Sequence, residues 1–369
     1  MSSSTTSKVI RVGIAGVGEV AQTTHLPTFQ LLSHLFKVTA LMDVSPSFLQ
    51  HASEKFNVPT TYSNYSDLLR DDNVDMVMIL TADEYHADYA VQAADAGKAV
   101  FIEKPMALTK ADAQSIIDAH ERNNVVIFVG YMRRYAVAYE RFKEEVAALK
   151  KIDYVTVRDI IGMNSFFVNQ SGTFPQAFTD FPPEASADRT ARGKTIAEAA
   201  LGPERAENQS LVTTYRLLGG LGSHDLSAMR ELLGVPKRCI AASRVQGGMP
   251  LFITAMFEYE GFTATYESGI DQVPDFDAHI EVIGDGKRLK LRYDTPYVKG
   301  LPIVIEKKEA DANGHYVESI IRPTYKDAYT LELESLHASL TEGKPVKTTP
   351  KDAAGDLVIF EQIMNALVN

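Results

Sequence analysis

The sequence predicts an α/β fold in two domains: a doubly wound parallel sheet in the N-terminal domain, then an α+β domain with a large, mostly antiparallel sheet. Two patterns predict it. From Val9 to Gly130, short apolar runs alternate with amphipathic stretches, which indicates βαβ units with helices on both faces of a sheet. After Arg134, strand-like runs follow one another with turn residues between them. At 369 residues the chain is long enough for two domains, which we expect over residues 1–134 and 135–369.

The N-terminal domain is expected to begin with a strand and to alternate from there. Its predicted strands are the runs VIRVGIA, VTALM, VDMVMIL, AVFI and VVIFVG, and its predicted helices start near Glu19, at Pro46, near His86 and from Thr109. Ser45 before Pro46 is typical of a helix N-cap followed by proline, and Thr109 with Asp112 resembles a capping box. Both signals fall where the alternation requires a helix to begin.

The C-terminal domain is expected to contain helices at both ends and strands between them. In chain order we predict a helix over 135–149, the strand YVTVRDIIG, a helix over 223–233, the strands CIAASRVQG, LFITAMFEYEG, FTATYESGI, HIEVIGDG and KRLKLRY, and helices over 329–342 and 352–367. The junctions Glu260-Gly261 and Asp285-Gly286 are typical of hairpins, so the sheet should be antiparallel or mixed.

Residues 163–215 are interrupted by Gly and Pro and show no clear periodicity. We expect a long loop there, which indicates a functional or mobile segment. Its aromatic residues either pack the loop itself or cover the apolar face of a ligand. These residues are Phe166, Phe167, Phe174, Phe178 and Phe181.

Composition argues against several classes of partner. With 37 Lys+Arg against 48 Asp+Glu, the net charge is -11, and an acidic chain is a poor binder of nucleic acid or of anionic membranes. The single cysteine, Cys239, allows no internal disulfide, and no His, Asp or Glu cluster has metal-binding spacing. The N-terminal MSSSTTSK lacks the apolar run of a secretory signal. We therefore expect a cytoplasmic protein without metal, membrane or nucleic acid.

A glycine-rich turn joins the first strand to the first helix. Gly16, Gly18 and Ala21 form a GxGxxA arrangement, with Glu19 and Val20 at the helix start. Such glycines permit a tight turn and close backbone approach, while the helix start offers N–H groups to a pyrophosphate. Alone, this pattern also fits an ordinary strand-to-helix turn, but in the first βαβ unit it predicts a Rossmann dinucleotide site.

The second predicted strand is followed by Asp43, an acid placed to bind a ribose hydroxyl. Residues 43–48 contain no Arg or Lys to neutralise a 2'-phosphate. The sequence therefore favours NAD over NADP, although a basic residue from elsewhere would change this. The alternative for Asp43 is a carboxylate that stabilises a helix N-terminus.

The predicted strand AVFI leads into Glu103-Lys104-Pro105. Pro105 restricts Lys104 to an extended backbone, so a lysine lies at the carboxyl edge of the sheet, where ligands bind in this fold. The alternative is an exposed loop lysine.

Glu103-Lys104-Pro105 after a GxGxxA Rossmann unit resembles the Gfo/Idh/MocA family of glucose-fructose oxidoreductases and inositol dehydrogenases, over essentially the whole chain. The resemblance implies that Lys104 binds the reacting hydroxyl near the nicotinamide and that Glu103 and Pro105 shape the cofactor pocket. It also places Thr81, Ala82 and His86 on the nicotinamide side. This sequence has Ala82 and Asp83 where the family typically has Pro and Asn.

A second family signature, Asp-x-Gly-x-His-x-x-Asp on a helix, is similar to residues 220–227 of this chain. His224 is kept, while Gly220 and Ser227 replace the two aspartates. Histidine suits proton transfer near neutral pH, so His224 is the predicted acid/base, with Asp225 beside it at the substrate. The alternative is a helix-start histidine bound to backbone groups. Ser223-His224-Asp225 is not a hydrolase triad, because adjacent residues project in different directions.

Three residues after the predicted strand VVIFVG complete the candidate site. We predict Arg133 as a cofactor contact and Tyr131 and Arg134 as substrate contacts. An ion-paired or solvated face is the alternative for the two arginines.

Together these residues predict an NAD-dependent oxidoreductase that moves a hydride between nicotinamide and a secondary hydroxyl or carbonyl of a sugar, cyclitol or related polyol. Lys104 and His224 are its predicted catalytic residues. The alternatives are an NAD-retaining enzyme that oxidises and then eliminates, and a non-catalytic NAD-binding regulator.

We also expect a homo-oligomer, a dimer or tetramer, built on the exposed face of the second sheet. One predicted strand carries apolar residues of both phases, which leaves apolar side chains on the face away from the core. They are Leu251, Phe252, Ile253, Ala255, Met256 and Phe257.

Overall fold

The computed structural model describes residues 8–245 and 251–367, which divide into two units. The first unit contains the chain up to Gly130 together with Thr173–Ala200 and Glu332–Ala354. The second contains Tyr131–Gly172, Leu201–Leu331 and the chain from Gly355. The chain therefore returns twice to the first unit, whereas the sequence predicted two consecutive ranges.

The first unit is built on a six-stranded sheet. Its strands are β1 Ile10–Ala15, β2 Phe36–Met42, β3 Thr61–Tyr62, β4 Met76–Ile79, β5 Ala99–Glu103 and β6 Ile127–Gly130. All neighbours pair in parallel, in the order β3-β2-β1-β4-β5-β6. Strands β4 and β6 are buried along their whole length, as a parallel sheet covered on both faces requires.

The second unit is built on an eight-stranded sheet. Its strands are β7 Tyr154–Ile161, β8 Arg238–Arg244, β9 Leu251–Glu258, β10 Thr263–Ile270, β11 Phe276–Gly284, β12 Lys287–Tyr293, β13 Val304–Ala310 and β14 Tyr316–Ile321. Their order is β14-β13-β12-β11-β7-β10-β9-β8, and β7 with β10 is the parallel pair among otherwise antiparallel neighbours. The predicted fold class is confirmed.

Helices account for most of the remaining chain. They are α1 Leu26–Leu31, α2 Pro46–Phe56, α3 Tyr65–Leu69, α4 His86–Asp95, α5 Lys110–Asn123, α6 Val137–Ala147, α7 Asn164–Val168, α8 Pro183–Leu201, α9 Pro203–Ala206, α10 Gln209–Leu217, α11 Ser223–Leu233, α12 Ala328–Glu342, α13 Pro350–Ala353 and α14 Gly355–Ala366. A π-helical turn, Ala21–His25, leads into α1, and another, Leu218–Gly222, leads into α11. In the described part of the chain, no helix combines the length and apolarity needed to cross a membrane.

The predicted helix starts and hairpins are confirmed. The Ser45 hydroxyl accepts a hydrogen bond from Phe48 N at 3.1 Å, and the Thr109 hydroxyl accepts one from Asp112 N at 3.0 Å. Asp285 and Gly286 both have positive φ, 49° and 72°, in the turn between the antiparallel strands β11 and β12. That geometry matches the twist of a two-residue hairpin and favours an Asp-Gly pair.

Residues 163–215 are mostly helical rather than one long loop, because they contain α7, α8, α9 and most of α10; residues 169–182 contain no helix or strand. Helix α8 alone has 19 residues. Its sequence, PEASADRTARGKTIAEAAL, is rich in good helix formers but has few large apolar residues, so its amphipathic pattern is weak. The sequence signal that could have predicted this helix is a proline at its start, followed by Glu184 in its first turn.

Three other sequence predictions differ from the structure. Strands β13 and β14 were missed because their side chains are largely polar or exposed at the edge of the sheet. The closing helix predicted over 352–367 is divided into α13 and α14. The predicted strand CIAASRVQG ends at Arg244, and its last two residues lie outside the described part.

The second return of the chain covers the edge of the first sheet. Within the first unit, Val129 of β6 donates a backbone hydrogen bond to Thr348 O at 3.0 Å. Edge strands with open N–H groups promote association, so this contact closes one edge of the parallel sheet.

Candidate functional site

The glycine turn after β1 has two glycines with different surroundings. Gly16 has a φ of +91°, and a Cβ there would lie 2.7 Å from the backbone carbon and oxygen of Leu80. A Cβ at Gly18 would meet no atom within 4 Å. Gly16 is therefore required by the protein itself, whereas Gly18 leaves open space before the helical turn Ala21–His25.

Asp43 connects this turn to the start of α2. Its carboxylate accepts a hydrogen bond from Val17 N at 2.9 Å and one from Ser45 N at 2.9 Å. Burial raises the pKa of Asp43 above its ordinary value, against the lowering effect of these backbone donors. Each carboxylate oxygen retains a second lone pair, so Asp43 can also accept bonds from a ligand hydroxyl.

A cavity of about 780 Å³ opens in the first unit beside these residues. Five of the predicted cofactor residues line it: Gly16, Gly18, Asp43, Thr81 and Ala82. Its size lies in the range of small-molecule and cofactor sites, and it lies at the carboxyl ends of β1, β2 and β4. The open space at Gly18 and the carboxylate at Asp43 fit a dinucleotide, with its pyrophosphate at the glycines and a ribose at the acid.

The loop after β5 is held by two buried histidines. His25 Nε2 lies 2.8 Å from Glu103 Oε1, and the other Glu103 oxygen accepts a bond from Lys104 N at 3.0 Å. The ring nitrogens of His86 lie 2.8 Å from Pro105 O and 3.0 Å from Thr81 O. The backbone on both sides of Lys104 is thus fixed relative to the end of β4, and the Lys104 side chain is half-buried.

Glu103 is ionised at neutral pH. Burial by itself raises its pKa, but the hydrogen bond from His25 and the nearby positive charge of Lys104 bring the pKa below its ordinary value. The Lys104–Pro105 peptide bond is cis. The remaining predicted cofactor residues of this unit, Glu19 and Val20, begin the helical segment that follows Gly18.

The sequence did not predict that residues 173–200, here called the cover segment, belong to this site. The segment supplies cavity-lining residues from Phe181 to Gly193. The Asp180 carboxylate accepts hydrogen bonds from Ser45 Oγ at 2.5 Å and from Ser47 N at 2.9 Å. Gln176 exchanges two hydrogen bonds with Gln22, of 2.9 and 3.1 Å.

Helix α8 extends the cover segment across the cavity. Tyr85 donates a hydrogen bond to Asp188 at 2.9 Å, and the Arg192 guanidinium lies 4.8 Å from the Tyr85 ring centre. Arg189, which lines the cavity, lies 3.3 Å from a carboxylate oxygen of Glu84. These contacts attach α8 to the loop after β4.

The phenylalanines of this region mostly pack against other rings. Phe178 meets Phe48 edge-on at 5.1 Å, and Phe167 meets Phe276 in the second unit at 5.5 Å. Phe181 lies 6.1 Å from Phe48 and also lines the cavity. Phe166 and Phe174 are exposed.

In the second unit, α11 begins with Ser223 and His224, and Asp225 points into the interior. Asp225 is fully buried, and its carboxylate accepts a hydrogen bond from Arg133. Arg133 also donates to Asp159 at 3.1 Å. Burial raises the pKa of Asp225 well above its ordinary value, against the lowering effect of Arg133. The Asp225 carboxylate thus bonds Arg133, and the Ser223 hydroxyl bonds Gly219 O at 2.7 Å, so neither side chain completes a hydrolase triad with His224.

Arg134 and Tyr131 are buried as well. Arg134 pairs with Glu231, and the Tyr131 hydroxyl donates to Asp356 at 2.6 Å. Arg133 and Arg134 are therefore both ion-paired, which is the alternative to a ligand contact that the sequence left open for them. Tertiary burial of this kind leaves no pattern in a single sequence, since the carboxylate partners are distant in the chain.

His224 itself is half-buried, and Gly220 is exposed, with no atom within 4 Å of the position of a Cβ. The Cβ of a side chain at position 220, where the family signature has an aspartate, would therefore meet no obstruction. Across residues 8–245 and 251–367, no three His, Cys, Asp or Glu side chains are grouped to hold a metal ion.

The chain is similar to known oxidoreductases, most strongly in its N-terminal part. The sequence profile described as "Oxidoreductase family, NAD-binding Rossmann fold" matches residues 10–131. Inositol 2-dehydrogenase of Salmonella paratyphi B is 36% identical over 136 residues, which are 36% of this chain and 40% of that protein. The match thus spans less than half the length of that relative. Myo-inositol 2-dehydrogenase of Thermotoga maritima is 22% identical over 356 residues, 95% of this chain and 94% of that protein.

Solved structures share the fold over nearly the whole chain. A levoglucosan dehydrogenase in complex with NADH and levoglucosan has a TM-score of 0.73 at 17% identity, covering 97% of each chain. A 3-ketoreductase from Actinomadura kijaniata in complex with NADP has a TM-score of 0.72 at 15% identity, covering 98% of each chain. Over residues 10–131, which include the glycine turn, the chain is similar to the Gfo/Idh/MocA oxidoreductase family.

Proposed function

We propose that this protein is an NAD-dependent oxidoreductase that acts on a secondary hydroxyl, or the matching carbonyl, of a sugar, cyclitol or related polyol. The observation that carries the proposal is the cavity at the carboxyl ends of β1, β2 and β4, lined by Gly16, Gly18 and Asp43. Relatives named inositol dehydrogenases support the substrate class.

The proposed cofactor residues divide by chemistry. The glycine turn takes the pyrophosphate, Asp43 the ribose hydroxyls, and Thr81 with Ala82 the nicotinamide side. When bound, the dinucleotide supplies the hydride acceptor or donor. NAD is the proposed form, because Asp43 repels a 2'-phosphate and no Lys or Arg lies within residues 43–48.

The catalytic roles in the proposal belong to Lys104 and His224. The Lys104 ammonium stabilises the negative charge that develops on the substrate oxygen, and its loop is fixed by Glu103 and His86. The His224 imidazole takes the hydroxyl proton during oxidation and returns it during reduction.

Buried residues of the second unit are proposed to support His224 rather than to touch substrate. Asp225 anchors the first turn of α11 to Arg133, and the Arg133 guanidinium lies 4.7 Å from the Tyr293 ring centre. Because Asp225 has no exposed surface, its influence on His224 passes through the position of the helix.

The test is a panel of sugars and cyclitols, including myo-inositol, incubated with NAD while the absorbance of the reduced cofactor is followed. Formation of NADH with a polyol and loss of the signal in His224→Ala support the proposal. Product without net NADH would favour the NAD-retaining alternative. Tight NADH binding with no turnover of any member in either direction would favour the regulator.

A further inference from the structure

The start of α2 is already occupied by a carboxylate of the chain itself. Asp180 of the cover segment accepts from the Ser45 hydroxyl at 2.5 Å and from Ser47 N at 2.9 Å. Ser45 is the N-cap of α2, and a helix start with its N–H groups is the usual place to hold an anion.

This helix start follows the residue proposed to bind the ribose. Ser45 N donates to Asp43 while Ser45 Oγ donates to Asp180, so one serine links the two carboxylates. Asp43, Val44 and Phe48 line the cavity together with Phe181, the residue after Asp180. Asp180 therefore lies beside the wall of the cavity that carries Asp43.

A ribose 2'-phosphate needs donors and positive charge at this position. In dinucleotide-binding folds the acid after the second strand binds the 2'-hydroxyl, and a nearby basic residue accommodates a 2'-phosphate. Here the hydroxyl and N–H donors next to Asp43 are used by Asp180, which adds a second negative charge. Arg189, a basic residue at the cavity, lies on α8 and pairs with Glu84.

We propose that Asp180 is a selectivity residue that stands in for the 2'-phosphate and so excludes NADP from the cavity. The proposal rests on the proposed dinucleotide function and extends it to a residue outside the Rossmann strands and helices. The bonds from Ser45 and Ser47 hold the pKa of Asp180 at about 2, so the carboxylate stays charged at neutral pH.

The cover segment remains attached by other contacts when Asp180 is changed. Lys55 donates to Phe174 O at 3.0 Å, Gln176 pairs with Gln22, and Phe178 packs on Phe48. A variant at position 180 thus removes the charge without releasing the segment. Asp180→Asn keeps an acceptor for Ser47 N, and Asp180→Ala empties the position.

The experiment measures dissociation constants of NADH and NADPH by fluorescence, and of AMP and 2',5'-ADP by calorimetry, for the full chain. We expect the wild type to prefer NADH and AMP. In Asp180→Ala the affinity for NADPH and 2',5'-ADP should rise about tenfold, since like charges facing each other at a binding site are strongly unfavourable. NADH and AMP should change by less than about threefold.

Glu184→Ala is the matched control, because it removes an equal charge from the exposed first turn of α8. It should leave both affinities unchanged. Asp180→Asn should shift the preference in the same direction as Asp180→Ala, which guards against loss of folding in the alanine variant.

An unchanged ratio of NADPH to NADH affinity in both Asp180 variants would overturn the proposal. An equal loss of affinity for both ligands would also overturn it, because Asp180 would then only hold the cover segment in place. A wild type that binds neither dinucleotide would instead reject the proposed function. The two failures are therefore distinguishable.

Discussion

Replacing each glycine of the turn by alanine separates the structural requirement from the ligand requirement. At Gly16 the φ of +91° costs a residue with a side chain about 1 to 2 kcal/mol. Crowding against the Leu80 backbone, 2.7 Å away, adds about 1 to 3 kcal/mol, because backbone atoms cannot rotate aside. We expect Gly16→Ala to lower the free energy of unfolding by about 2 to 5 kcal/mol.

Gly18→Ala should behave in the opposite way. Its Cβ enters space with no atom within 4 Å, and its φ lies outside the left-handed region. The free energy of unfolding should stay the same or rise by up to about 1 kcal/mol. If the pyrophosphate uses that space, NADH affinity should fall at least about tenfold, or 1.4 kcal/mol.

The assay is denaturant unfolding of both variants alongside NADH titration by fluorescence. A folded Gly18→Ala protein with wild-type NADH affinity would refute the assignment of the turn to the pyrophosphate. A Gly16→Ala protein as stable as the wild type would show that the Leu80 backbone yields, and the steric argument would be wrong.

Three further predictions concern the remaining residues. His224→Ala should lower kcat by about 10²- to 10⁴-fold and leave the NADH affinity unchanged, and Lys104→Met should have a similar effect. If Lys104→Met instead abolished NADH binding, this lysine would belong to the cofactor site. The depressed pKa of Glu103 stabilises the fold above the unfolded pKa of about 4.3, and this contribution is lost as pH falls through the lower folded pKa. Glu103→Gln should therefore have a lower free energy of unfolding than the wild type at pH 7. The denaturation curves of the two proteins should converge as the pH is lowered towards 3 (roughly one unit below 4.3). A difference in the free energy of unfolding that stays constant from pH 7 to this pH would contradict the charge argument. Met256 is 41% exposed on the second sheet and should contribute to a homo-oligomer. Met256→Glu should therefore reduce the mass measured by light scattering, whereas Leu31→Glu, a control at an exposed position in the first unit, should not. A wild-type protein that is monomeric at micromolar concentration would refute this.

Local signals in the sequence were enough to place most elements. Ser45-Pro46 and Asp285-Gly286 fix a helix start and a hairpin through side-chain and backbone preferences that act within four residues. The parallel strands were visible because burial on both faces leaves continuous apolar runs. For these elements the local preference and the tertiary fold agree.

The parts that escaped prediction depend on contacts between distant residues. Asp180 and Ser45 are 135 positions apart, and Arg133 and Asp225 are 92 apart. An exposed aspartate and a buried one look alike in a single sequence, since only the partner decides the burial. Helix α8 was missed for a different reason: most of its residues are exposed, and it has few of the large apolar residues that mark an amphipathic helix.

The twofold return of the chain to the first unit has a consequence for biosynthesis. The segment that closes the β6 edge, with Thr348 bonded to Val129, leaves the ribosome more than two hundred residues after that strand. Until then the nascent parallel sheet carries an unpaired edge, the kind of surface that chaperones shield and that promotes aggregation. A fragment cut at residue 134 would keep this edge open permanently, so we expect it to aggregate more readily than the full chain.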